Sequence, residues 1–144
     1  MIRMQNVAKR YAQTGEVLSQ LNLELDPGEF VFLTGASGAG KSTLLKLIAL
    51  IETPSRGNIY LNGHNVTHAK RSQIAKIRSR MGLIFQDHRL LQDRNVFENV
   101  ALPLRISGYS QREIPRRVRA ALDKVGLLRK EKSEPIALSG GEQQ

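Results

Sequence analysis

Residues 35–42 read Gly35-Ala36-Ser37-Gly38-Ala39-Gly40-Lys41-Ser42, a complete G-x-x-x-x-G-K-[ST] pattern. The stretch follows the apolar run Phe30-Val31-Phe32-Leu33 and opens a helix-forming segment at residues 41–50. Strand, glycine loop and helix start, in that order, are the context in which the pattern has a mechanism. Glycines let successive N–H groups turn towards one anion, and the helix adds the positive end of its dipole. Lys41 is then placed to reach the β- and γ-phosphates of a nucleotide, and Ser42 to offer its hydroxyl to Mg²⁺. Gly35, Ala36, Ser37, Gly38, Ala39, Gly40, Lys41 and Ser42 are thus the predicted nucleoside-triphosphate site. Thr43 adds a second hydroxyl, near the α-phosphate.

Working outward, residues 2–7 and 17–25 read as strands, the second alternating at Leu21, Leu23 and Leu25. Asp26-Pro27-Gly28-Glu29 is a turn, and residues 30–34 are the strand that feeds the loop. Helix 41–50 is apolar on nearly every side, which predicts burial between layers. A loop at 53–57, a strand at 58–61, a turn at Asn62-Gly63, a polar helix at 71–80 and a short buried strand at 82–85 follow, ending at Gln86. The texture then changes to charged, helix-forming sequence, with helices at 96–104 and 111–125. Ser110-x-x-Glu113 offers a capping box for the second of these, in conflict with Pro115, whose missing N–H falls just past the first turn. Strands alternating with helices around a phosphate loop predict an α/β fold with a largely parallel sheet and a helical insert.

The 144 residues contain no cysteine, which excludes disulfides, thiolate metal sites and a catalytic thiol. No apolar stretch is long enough to span a bilayer, and residues 1–5 lack the apolar core of a signal peptide, so the reading is a cytoplasmic protein. The net charge of +9 is unevenly placed. Residues 105–132 hold nine Lys/Arg against Glu113, Asp123 and Glu131, and Lys70, Arg71, Lys76, Arg78 and Arg80 form a second run without an acid among them. A solvated helix face explains such runs, and so does attraction to an anionic membrane surface. Sparse aromatics near them speak against nucleic acid.

Leu138-Ser139-Gly140-Gly141-Glu142-Gln143 is the second distinctive run. Ser139 is a good N-cap, and the two glycines leave N–H groups accessible at a helix start. A second anion-sized feature in one chain invites a site shared between two subunits. With the phosphate loop, this run and Gln86 after Leu83-Ile84-Phe85, the chain resembles the ATP-binding-cassette (ABC) ATPases over essentially its whole length. The resemblance makes residues 35–42 the Walker A loop, Gln86 the Q-loop residue that shares Mg²⁺ with Ser42, and Tyr11 an aromatic that stacks on adenine. It makes Ser139, Gly140, Gly141 and Glu142 the signature, closing on ATP held by an opposing subunit. Further stretches, such as Ile84-Phe85-Gln86-Asp87-His88 and residues 120–128, resemble the cell-division branch of the family.

The resemblance implies ATP and Mg²⁺ as ligands and a P-loop NTPase domain. It divides the chain into a β subdomain with the Walker A core at 1–86, a helical subdomain at 87–137 and the signature at 138–144. It implies a head-to-tail homodimer and an integral membrane subunit as partner, docked on the helical region, at the cytoplasmic face of the inner membrane. Lipoprotein-release and macrolide-type exporters of the same family share much of the pattern. Members acting on nucleic acid need long insertions between Gln86 and Leu138, and 51 intervening residues leave no room for them. The family's Walker B aspartate, catalytic glutamate and switch histidine all follow the signature, and His64, His68 and His88 precede it. The expectation is therefore a domain truncated after the signature, with no catalytic residue in this chain and hydrolysis belonging to the full-length protein.

Overall fold

Met4 and Val7 stand three residues apart, yet both are buried in one core, which simple two-residue alternation forbids. The extra residue is Asn6, held at φ 48° where the ladder shifts register between Met4 and Val7. This bulge lies in strand β1 (Ile2–Tyr11), which pairs antiparallel with β2 (Gly15–Leu25). Gln20 of β2 takes the same conformation, so Leu18 and Leu21 also both reach the core. The Asn22 side chain ties the two irregularities together: it accepts from the Asn6 N–H at 2.9 Å and donates to the Gln20 carbonyl at 3.1 Å.

The computed structural model describes residues 1–144, which separate into two units, 1–81 and 82–144. In the first, β3 (Arg56–Leu61) and the two-residue β4 (His64–Asn65) complete a sheet of order β2-β1-β3-β4, antiparallel throughout. Gly57, at φ +84°, faces the β1 bulge so closely that a Cβ there would meet the Asn6 carbonyl oxygen at 2.3 Å. Asn62 and Gly63, both with positive φ, make the tight β3–β4 turn. Helix α1 (Lys41–Ile48) buries Leu44 and Leu47 against Met4, Val7, Ile59 and Val66. Helix α2 (Arg71–Arg78) adds Ile74 and Ile77 to that core. The Arg78 guanidinium reaches back to the end of α1, donating to the Ala49 carbonyl at 3.1 Å and to that of Leu50. It thereby satisfies acceptors that a helix end leaves open.

The second unit is helical. Helix α3 (Val96–Ile106) starts at Asn95, whose side chain accepts from the Glu98 N–H at 2.9 Å, and packs on α4 (Ile114–Lys124). Val96, Ala101, Ile114, Val118, Leu122 and Leu138 form the core. The four-residue α5 (Gly140–Gln143) ends the chain. The conflict at Pro115 resolves by a later start: the helix begins at Ile114, so Pro115 lies in the first turn, where no N–H is required. Ser110 still donates its hydroxyl to Glu113 at 2.7 Å, but in the turn that precedes the helix.

Three expectations need correction. Residues 30–34 and 82–85 form no strands, and no parallel sheet is present, because a strand exists only through a ladder and neither run has a strand beside it in its unit. Phe30 and Phe32 remain 83% and 79% exposed and pack edge-to-face on each other. Helix α1 is covered on one side only: Leu45 is exposed, since the sheet meets the face bearing Leu44 and Leu47. The strand expected at 58–61 begins at Arg56, the close fit of Gly57 allowing pairing to start earlier.

Candidate functional site

The phosphate loop owes its shape to glycines at 35, 38 and 40, with φ of +148°, +80° and +88°. Alternation of handedness along such a segment turns successive N–H groups into one concavity. Ala39 donates to the Ala36 carbonyl at 3.2 Å, whereas the N–H groups of Ser37, Gly38 and Gly40 make no hydrogen bond. Gly40 is the N-cap of α1, whose first turn carries no acidic residue, so the positive end of the helix dipole is uncompensated. Lys41 folds over the loop and donates to the carbonyls of Gly35 at 2.6 Å and Ala36 at 2.7 Å. A flexible ammonium on two exposed carbonyls is readily exchanged for phosphate oxygens, which accept charge-assisted bonds. Ser42 is exposed, Thr43 half-buried, and neither hydroxyl is engaged in a hydrogen bond. The structure thus brings Gly35 to Thr43 together as one donor-rich cradle.

Gly40 has a second duty that the motif does not disclose. A Cβ on it would meet Leu18 Cδ2 at 2.8 Å and the Val17 carbonyl at 3.2 Å, so the loop is seated directly against β2. Gly38, equally left-handed, has nothing within 4 Å. Gly40→Ala should therefore lower stability by about 2 kcal/mol, combining left-handed strain with a contact on the sheet. It should also weaken nucleotide binding. Gly38→Ala should show only the strain, about 1–2 kcal/mol. Denaturant melts and nucleotide titration of both variants check the difference.

The other predicted residues are placed as follows. Tyr11 ends β1 opposite Gly15, and the Lys9 ammonium sits 4.9 Å from its ring centroid. That ammonium is also held by Glu52 at 2.7 Å and by the Thr53 carbonyl at 2.8 Å. Gln86 is exposed, in a turn of the second unit, whereas Ser42 belongs to the first. Exposed amide and hydroxyl oxygens are the hard donors Mg²⁺ accepts, so the chemistry of Ser42 and Gln86 fits that ion. Ser139 caps α5, and its N–H and hydroxyl donate to Glu142 Oε2 at 2.9 and 3.0 Å. Gly140 and Gly141 are exposed beside it. Gln143 braces the run by donating to the carbonyls of Pro135 and Leu138, both at 3.1 Å.

Five residues of the basic stretches have structural partners. Arg78 closes α1, Arg105 pairs with Glu98, Arg117 with Glu113, Arg119 with Glu131 and Lys130 with Glu142. Two of these, Arg78 and Lys130, are residues whose tasks reading the sequence missed. A lone cation in a basic run carries no sign of the carbonyl or carboxylate it will meet.

Residues 18–144 match the family described as ABC transporter. Over all 144 residues the chain is 56% identical to the cell division ATP-binding protein FtsE of Escherichia coli K12 and spans 65% of its length. Against FtsE of Haemophilus influenzae the identity is 47%, over 66% of that protein. The methionine import ATP-binding protein MetN of Francisella tularensis is 42% identical, with 42% of its length covered. Among solved structures, the ATP-binding cassette MJ0796 bound to ADP and Pi, described as a dimeric post-hydrolysis state, superposes with a TM-score of 0.91. That match is 32% identical and covers 99% of this chain and 65% of the cassette. With the family match over residues 18–144 and agreement of both sequence and backbone, the chain belongs to the ABC transporter family.

Proposed function

We propose that the chain is the N-terminal part of the ATP-binding subunit of a membrane-associated ABC complex acting in bacterial cell division. The observation that supports the nucleotide part is the loop itself: the N–H groups of Ser37, Gly38 and Gly40 make no hydrogen bond, and Lys41 is held only by the exchangeable carbonyls of Gly35 and Ala36. The cell-division part rests on the 56% identity to FtsE. Lys41 and the loop amides would bind and orient the triphosphate, and Ser42 with Gln86 would hold Mg²⁺, which supplies charge neutralisation at the β- and γ-phosphates. Tyr11 would stack on the adenine. Hydrolysis is assigned to the intact protein, in a head-to-tail homodimer whose signature residues Ser139, Gly140 and Gly141 face ATP across the interface. The dimeric form of the MJ0796 cassette supports that assembly.

The partner we propose is an integral membrane subunit of the FtsX type, with the complex controlling cell-wall hydrolysis at the septum. No helix of this chain is long and apolar enough to cross a membrane, and the place we propose for it is the cytoplasmic face of the inner membrane, on such a partner. Val96, Phe97, Val100 and Leu104 pack into the core of the helical unit, which leaves Leu90, Leu91 and Leu102 outside that core, and Leu90 and Leu91 are the proposed docking residues. Leu90 lines an open groove of about 410 Å³ with Val100, Leu122 and Val125, and Leu91 is 36% exposed. Leu90→Glu or Leu91→Glu in the intact protein should reduce co-purification with the membrane subunit by about 10-fold, as loss of an interface anchor does, and leave Mg-ATP binding unchanged. Cells relying on either variant should divide late. Undiminished co-purification and normal septation would remove the docking assignment.

A further inference from the structure

Glu142 is an anion in a run assigned to meet another anion, and its surroundings resolve the conflict. Oε1 accepts from Lys130 Nζ at 2.6 Å, and Oε2 accepts both the N–H and the hydroxyl of Ser139. Every donor comes from the same unit, and both carboxylate oxygens are engaged within it. Lys130 is delivered from a fixed place, the short 3₁₀ turn Leu128–Lys130, where Leu127 and Leu128 pack on the helical core.

We propose that Lys130 is a positioning residue for the signature: paired with Glu142, it fixes and neutralises the carboxylate that aims the Ser139 hydroxyl and main chain. This rests on the dimer reading above, since the aim of Ser139 matters only if Ser139 meets a phosphate. A serine has one hydroxyl proton, which goes either to Glu142 or to a phosphate oxygen. When it turns to phosphate, Glu142 keeps the Ser139 N–H and the Lys130 ammonium. The approaching phosphate therefore meets a balanced pair instead of a bare carboxylate. Without Lys130, the same geometry would repel it.

The pairing has a measurable signature. The Lys130 hydrogen bond, followed by those of Ser139, holds the Glu142 carboxyl at about 2, against an ordinary 4.5, and Lys130 is the charge acting on it. Because the folded value is depressed, the stabilisation is complete above 4.5 and is lost as pH falls through about 2. The ion pair thus stays intact through neutral and mildly acid solution.

The test uses the intact protein and four variants: Lys130→Met, Lys130→Arg, Glu142→Gln and the double Lys130→Met/Glu142→Gln. Lys130→Met should weaken ATP-driven dimerisation about 5-fold, the scale of a part-exposed ion pair, while nucleotide binding at the phosphate loop is unchanged. Lys130→Arg should restore it. A neutral glutamine needs no counter-ion, so Lys130→Met should add nothing in the Glu142→Gln background. Carboxyl NMR should find Glu142 titrating near 2 in the parent and moving towards 4.5 in Lys130→Met. Equal titration in both proteins, or an undiminished Lys130→Met effect in the Glu142→Gln background, overturns the proposal. A parent that fails to dimerise with ATP overturns the dimer reading instead, and the Glu142 titration tells the two failures apart.

Discussion

Lys41→Ala in the intact protein is expected to abolish ATP turnover and to weaken nucleotide binding by about 10- to 100-fold, the loss of one or two charge-assisted hydrogen bonds. Lys41 is the cation the loop itself supplies, and its partners, the carbonyls of Gly35 and Ala36, are themselves exposed. Removing it therefore costs the fold little and the phosphate site much. Lys46→Ala supplies the contrast, because Lys46 lies exposed in the last turn of the same helix and points no charge at the loop. Calorimetric titration with Mg-ATP and a phosphate-release assay on both variants decide the matter. Equal affinity and turnover in Lys41→Ala and the parent would refute the phosphate-loop assignment.

The largest effect on folding is expected at a residue outside any motif. Gly57→Ala should destabilise the first unit by about 3 kcal/mol or more, summing the cost of a left-handed alanine and of overpacking. A Cβ on Gly57 would lie 2.3 Å from the Asn6 oxygen and 2.5 Å from that of Gln5, both backbone atoms that cannot rotate away. Relief would require β3 to leave the β1 bulge, which carries Met4 and Val7 into the core. Gly63→Ala isolates the conformational part: φ is +80° there, with nothing within 4 Å, and the loss should be about 1 kcal/mol. Urea denaturation of the two variants measures the difference, and equal losses would show that the close approach at Gly57 is relieved without cost.

The glycine loop and the helix start that follows it were legible because their determinants are local: each acts on neighbours a few residues away. The hairpin strands, the Asp26–Glu29 turn and the amphipathic α4 were legible for the same reason, as were the capping residues of α5. The bulges at Asn6 and Gln20 were not, since a single inserted residue leaves the apolar pattern looking like a plain strand. Nor were the contacts of Gly40 with β2, Arg78 with α1 or Lys130 with Glu142, which join residues between 12 and 29 positions apart. The runs at 30–34 and 82–85 show the opposite failure. Their apolar, β-branched and aromatic content is strand-like, but a strand needs a neighbour to bond with, and propensity says nothing about who that neighbour is.

Helix α1 is fastened at both ends, by the fit of Gly40 on β2 at its start and by Arg78 on the carbonyls beyond its finish. On the proposed function, a phosphate would meet a loop whose helix end is already held in place. The entropy still to be surrendered on binding is confined to the few residues between Gly35 and Ala39, at about 1–2 kcal/mol for each one fixed. Folding has met the rest in advance, so on the proposed function part of the affinity for the nucleotide is stored in packing contacts remote from its phosphates.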